Sequence, residues 1–289
     1  MQIHEIKEVF MKKGINIWSF PQAGIQDTLI LAKNAGFDGI ELALNGSGEL
    51  SLDTTEQEIR DIKKMADDLG LALYSLSCGL CWDYRLSDDD EKMRQKAKDM
   101  IKKQLDTAKI LGADTILVIP GVVNVEFSFP EKKVAYDVVY NRALEGLNEL
   151  KSHAEALNVN IGLENVWNKF LLSPMEMRSF IDAIGSEYVG SYLDIGNTLY
   201  CSYPEDWIRI LGKRIKKVHF KDYRTQAGGL HGFVDLLAGD VDYPEVIRAL
   251  DEIGYDDWVS AEMIPGYKHY PETLIYNTSK AMDQILRRD

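Results

Sequence analysis

The residues of this chain best placed to act together chemically are three carboxylates and one imidazole, each at or near the C-terminal end of a short apolar run. NIGLEN carries Glu164, YVGSYLDIGN carries Asp194, KKVHFKD carries His219 and DWVSAEM carries Glu262. Singly, each has an ordinary explanation: a strand-end Glu can be solvated, an Asp ahead of Ile-Gly-Asn can cap a helix, and a His on an apolar strand is commonly core. Gathered in one mouth, the four would repel one another and be badly desolvated without a cation. A divalent metal resolves the conflict. Oxygen donors with a single nitrogen suit Mn2+, Mg2+ or Co2+ with positions open to substrate oxygens, whereas a closed structural zinc site favours cysteines. The expected cofactor is one divalent ion, Mn2+ first, with Mg2+, Co2+ or Zn2+ as alternatives.

For these residues to meet, the chain must bring distant segments to one place. Eight short apolar runs read as strands: 14–18, 39–43, 72–77, 115–119, 160–164, 190–194, 217–220 and 258–262. Each precedes a helical pattern, at 25–35, 55–69, 91–111, 133–157, 174–184, 204–211, 243–253 and 271–286. The runs look apolar on both faces, as parallel strands covered by helices do. NAGFDG, LGLA, LGAD and EIGYDD each place a Gly just after a helical run and ahead of a strand, where a left-handed cap costs least. Eightfold βα alternation fits either a closed barrel or an open doubly wound sheet. An open nucleotide-binding sheet should carry GxGxxG after an early strand, and the chain has none. The reading is α/β, a (β/α)8 barrel forming a single domain over residues 1–289, with no linker or low-complexity segment. The charge block Asp88 to Lys92 reads as a solvated helix start capped by Ser87 or Asp88.

Composition narrows the partners. Of 289 residues, 46 are acidic and 33 basic, a formal charge of -13, and 45% are hydrophobic, enough for a core of its own. That balance opposes a broad basic face for nucleic acid. The polar N-terminal MQIHEIKEVFMKKG offers neither a signal peptide nor a membrane span. Cys78, Cys81 and Cys201 cannot build a disulfide framework, and the lone CxxC lacks a second pair. The expectation is a cytoplasmic protein that binds neither nucleic acid nor membrane.

Taken together, GLENVWNKFLLSP, YLDIGN and VHFKDYR resemble the xylose-isomerase-like barrels, in the branch of sugar and sugar-phosphate isomerases and epimerases that includes D-tagatose 3-epimerase and L-xylulose 5-phosphate 3-epimerase. The likeness covers almost the whole chain. It implies that Glu164, Asp194, His219 and Glu262 hold the metal, and that Glu164 and Glu262 double as the acid/base pair on opposite faces of a bound ketose. A metal that stabilises the developing enediolate acidifies the α-proton. Return of a proton to the opposite face of the same carbon epimerises, and return to the neighbouring carbon, with proton movement between the oxygens, isomerises. A sugar or sugar phosphate is the expected partner, with a homodimer or homotetramer as the expected assembly.

Further positions read as substrate contacts. Lys221 falls on the same strand face as His219 and could stabilise an oxyanion or bind phosphate, with Asp222 orienting it; a strand-end salt bridge is the alternative. Trp167, Asn168 and Lys169, after Asn165, sit in a loop that must cross the mouth and would suit a polyol. Asn197 of YLDIGN, Trp18, Glu41 and His231 complete the set, Glu41 as a partner of sugar hydroxyls or a structural carboxylate, and His231 of GGLHGF as a lid contact or an exposed loop residue. Cys78 and Cys81 read as pocket lining. Where the epimerase branch often carries substrate-holding His and Arg after strand three, this chain has SLSCGLCWDYR with only Arg85, which weakens the case for a phosphate. Two other functions stand beside the leading one. An inosose-type dehydratase could use the same metal and base to expel a β-hydroxyl. An endonuclease IV-like phosphodiesterase would need more histidine ligands than the five present supply.

Overall fold

The computed structural model describes residues 11–125 and 133–288. Of MQIHEIKEVFMKKG, read above as neither signal peptide nor membrane span, the residues before Met11 lie outside them. Eight parallel strands close into a barrel: β1 (Lys12–Asn16), β2 (Gly39–Leu44), β3 (Ala72–Cys78), β4 (Thr115–Val118), β5 (Asn160–Glu164), β6 (Val189–Asp194), β7 (Ile215–Phe220) and β10 (Trp258–Ala261). Neighbours follow chain order around the ring, and β1 pairs with β10 to shut it. Burial of β2, β4 and β6 along their whole length explains why those segments read as continuous apolar runs. Strand β8 (Asp222–Tyr223) and strand β9 (Phe233–Val234) form a small antiparallel ribbon after β7. The sequence pattern predicts plain loop there, because two-residue strands leave no periodic signal.

The helices pack outside: α1 (Ile25–Ala35), α2 (Glu56–Leu69), α3 (Glu91–Leu111), α4 (Tyr136–Leu157), α5 (Pro174–Ile184), α6 (Ile195–Thr198), α7 (Pro204–Leu211), α8 (Tyr243–Ile253) and α9 (Pro271–Ile285). The glycines expected to end helices do so: Gly36, Gly70, Gly112 and Gly254 adopt φ of 86°, 64°, 81° and 70° at the ends of α1, α2, α3 and α8. One cap differs from expectation. The N-cap of α3 is Asp90, whose carboxylate accepts from the Lys92 amide. Ser87 is instead buried, its hydroxyl bonding the amide and carbonyl of Val122, so it ties two mouth loops together. Among the described residues no helix is long and apolar enough to cross a membrane.

Candidate active site

Register places the ligand candidates at one level. Asp194 is the last residue of β6 and pairs with His219 on β7, while His219 pairs with Ser260 on β10. Glu262 follows β10 directly, its amide bonded to the Phe220 carbonyl, so the carboxylate projects from the same rim. Each of Glu164, Asp194, His219 and Glu262 offers one donor atom, and the four atoms lie within 4.8 Å of one another. From Nδ1 of His219 the distances are 3.4 Å to Glu262, 3.9 Å to Glu164 and 4.0 Å to Asp194. His219 Nδ1 is buried without a hydrogen-bond partner, and Asp194 Oδ2 and Glu262 Oε2 are buried with the Lys221 ammonium as their charged neighbour. Orphaned buried acceptors are costly unless something coordinates them. Their convergence, with three carboxylates and one imidazole as donors, fits a divalent ion.

Asp194 divides its oxygens between the two roles weighed for it. Oδ1 caps α6 by accepting the Asn197 amide at 2.8 Å, and Oδ2 turns into the site. Asn165 grips the backbone of the same residue, donating to its carbonyl and accepting from its amide, each at 2.8 Å. Thus the ends of β5 and β6 are fixed to each other by one side chain.

Glu41 is placed differently from the expectation of a sugar contact. It is 0% exposed, and its oxygens accept from His219 Nε2 at 2.7 Å, Asn16 Nδ2 at 2.8 Å and Ser75 Oγ at 3.0 Å. A carboxylate sealed this way cannot reach sugar hydroxyls. With a metal bound, its bond to Nε2 would hold the proton on that nitrogen and leave the Nδ1 lone pair for the ion, as partners behind a metal-bound histidine do. Asn16, which the sequence reading passed over, also bonds Ser77 and caps the turn carrying Trp18. The apolar run 14–18 places Asn16 in its middle, whereas β1 ends at Asn16, so the strand-end criterion passes it by. We expect Glu41→Gln to weaken Mn2+ binding about tenfold or more, measured by equilibrium dialysis, with an unchanged far-UV circular dichroism spectrum. Wild-type affinity in that variant would contradict the assignment.

A cavity of about 580 Å³ opens above the ligand cluster. Trp18, Trp167, Asn197, Lys221 and His231 line it with Glu164 and Glu262. Lys221 Nζ lies 3.1 Å from Asp194 Oδ2 and also pairs with Glu262, so the strand-end salt bridge is present and faces the cavity. Trp167 donates to the Asn197 carbonyl and packs against Tyr200, Tyr223 and Phe233, which holds its ring upright as a wall.

Other expected contacts lie elsewhere. Asn168 is 1% exposed and spends its side chain on the Gly121 carbonyl and the Phe170 amide, shaping the loop rather than touching the cavity. Lys169, at φ 58°, is exposed and lines an adjoining depression of about 400 Å³, which shares Trp167 and Asn197 with the cavity, together with Tyr200, Cys201 and Trp207. Asp222 does not orient Lys221. It accepts the amides of Tyr223, Gly239 and Val241 and so staples the loop behind the ribbon. Cys81 lines the cavity, while Cys78 is buried against Met100. Both thiols are free, and burial pushes them up, Cys78 to about 11, which makes them poor nucleophiles. The reading missed Phe233, Trp82, Leu117 and Ile119, all cavity-lining; apolar side chains carry no mark in sequence that separates pocket from core.

The field in the site is steep. Burial and the Glu262 carboxylate push Glu164 up to about 8, against the pull of Lys221. Burial would also raise Glu262, yet Lys221 and His219 outweigh it and hold that carboxyl at about 2. Burial disfavours a charged His219, but Glu41 and Glu262 prevail and hold its imidazole well above the usual range. Positive charge is demanded at this point, whether from a proton and Lys221 or from a metal ion.

A closed eight-strand barrel with a carboxylate-rich centre at the C-terminal ends of its strands defines a class of enzyme-bearing fold. Residues 29–283 match the family model for the xylose isomerase-like TIM barrel, and the chain belongs to that family. It is 24% identical to a putative L-ribulose-5-phosphate 3-epimerase of Escherichia coli K12, over 79% of this chain and 80% of that one. It is 22% identical to the fructoselysine 3-epimerase of Escherichia coli O157:H7, over 96% of this chain and 100% of the relative. A solved structure of the IOLI protein with a bound zinc atom superposes with a TM-score of 0.78 at 21% identity, covering 96% of this chain and 99% of that one.

Proposed function

We propose that the protein is a divalent-metal-dependent epimerase or isomerase of a ketose, moving a proton through an enediolate. The observation that carries this is the meeting of Glu164, Asp194, His219 and Glu262 within 4.8 Å beside a cavity large enough for a sugar. Those four side chains would hold the ion, with Mn2+ the favoured occupant. When bound, the ion supplies electrophilic stabilisation of the oxyanion that develops as the α-proton leaves. Glu164 and Glu262 both line the cavity. One takes the proton from the carbon beside the carbonyl, and the other delivers a proton to the opposite face of that carbon or to its neighbour. Lys221, beside Glu262 and Asp194, adds a second positive charge at the oxygen end of the substrate. Trp167 and Trp18 give walls on which the sugar ring or chain can stack. Relatives named as 3-epimerases favour the epimerase outcome.

The test is incubation of the Mn2+-loaded protein with a ketose panel in D2O. Deuterium should enter at the carbon next to the carbonyl, with a C3 epimer as product. Loss of water with a dicarbonyl product would replace this reading by the dehydratase. Absence of both would remove it.

A further inference from the structure

We infer that the substrate is a neutral keto-polyol that carries an aromatic or alkyl substituent on the end remote from Glu164 and Glu262, and no phosphate. This rests on the ketose reading above. Glu164, Glu262, Lys221, Asn197 and His231 supply the polar groups of the cavity, whereas Trp18, Trp82, Trp167, Phe233, Leu117 and Ile119 supply apolar wall. A ketohexose has about twelve non-hydrogen atoms, each needing less than the ~30 Å³ of a water molecule. Such a sugar therefore leaves roughly a third or more of the 580 Å³ unfilled, in a cavity lined mainly by rings and aliphatic groups. At the rim, Leu230 and Ile264 are 42% and 45% exposed. A substituent reaching that far would cover them, converting exposed apolar area into binding energy.

The same structure argues against a phosphate. Binding one takes more than one cation or several free backbone N–H groups. Among the described residues lining the cavity, Lys221 is the sole lysine or arginine, and it is engaged with Asp194 and Glu262. Arg85 donates to the Trp82 carbonyl, and Lys169 lines the other depression. Barrel enzymes commonly seat phosphate on the loops after the last two barrel strands. Here the loop after β7 is acidic, and Asp222 and Asp240 accept the amides of Tyr223, Gly239, Val241 and Thr225. Those four N–H groups are bonded to carboxylates of the protein and are not open to a phosphate.

Binding to the Mn2+-loaded full chain can be read from the fluorescence of Trp18, Trp82 and Trp167. The probes are D-fructose, D-psicose, D-tagatose and D-sorbose, each as the free sugar, the 6-O-benzyl ether and the 6-phosphate. For the ketose that binds best, the benzyl ether should bind at least about tenfold tighter than the free sugar, about 1.4 kcal/mol, and the phosphate no tighter. Leu230→Lys, at an exposed rim position, should remove most of the benzyl gain. A phosphate that binds tightest, a benzyl ether that gains nothing, or a gain untouched by Leu230→Lys would overturn the inference. Deuterium exchange on the free ketoses separates the two readings. Exchange without a benzyl gain overturns the substituent alone, and neither exchange nor binding with any probe overturns both.

Discussion

Glu164→Gln and Glu262→Gln should each lower deuterium uptake into a ketose by at least about a hundredfold, the range that a positioned acid or base contributes to proton transfer. Gln is close to isosteric, and its amide oxygen can still face the ion, so the substitution removes proton transfer more thoroughly than it removes coordination. Both carboxylates are buried and both reach the cavity, hence no nearby carboxylate can take over. Asp194 and His219 are 0% exposed, with Asp194 Oδ1 committed to α6 and His219 Nε2 to Glu41. Lys221 is held protonated by burial-resistant pairing with Asp194 and Glu262 and makes a poor base. Uptake at the wild-type rate in either variant, with Mn2+ content measured in the same sample, would contradict the two-carboxylate assignment.

His219→Ala carries the second large effect, and it should appear in stability as well as in metal binding. The imidazole supplies a donor atom to the cluster on one nitrogen and satisfies buried Glu41 on the other. Its removal leaves a carboxylate with 0% exposure beside Asn16 and Ser75 but without its cationic partner. Breaking one half of a buried pair costs about 3–5 kcal/mol. Urea unfolding of the metal-free protein should show a loss of that order, and His219→Ala/Glu41→Gln should recover part of it, because the second change removes the stranded charge. A single variant as stable as wild type would show that Glu41 does not depend on His219. Full recovery of Mn2+ affinity in the double variant would show that His219 is not a ligand.

The barrel was legible because parallel strands buried on both faces leave uninterrupted apolar runs, and because glycine marks the ends of α1, α2, α3 and α8. The four clustered residues were legible for a related reason: a charged residue ending such a run needs a partner, and only the barrel mouth supplies one. What lay hidden was the direction of side chains after the strands end. Glu41 and Glu164 look alike in sequence, each a carboxylate on an apolar strand. Glu41 lies two residues past Gly39 on β2 and faces the barrel interior, while Glu164 is the final residue of β5 and reaches the cavity. Asn168 and Lys169 follow Glu164 closely, but Asn168 spends its amide on Gly121 and Phe170, and Lys169, with a left-handed backbone, lines the neighbouring depression. Asp222 was expected beside Lys221; the ribbon of β8 and β9, too short to leave a periodic signal, redirects it to backbone amides. The apolar wall was invisible because its residues are of the same types as the core.

The central claim is that Glu164, Asp194, His219 and Glu262 share one ion. Equilibrium dialysis of the full chain against Mn2+, with metal and protein quantified in the same chamber, tests it most directly when wild type is compared with Asp194→Asn. The account predicts saturation at one ion per chain and an affinity at least a hundredfold lower in the variant. Absence of saturable binding by wild type, or an equal affinity in the two proteins, would contradict it.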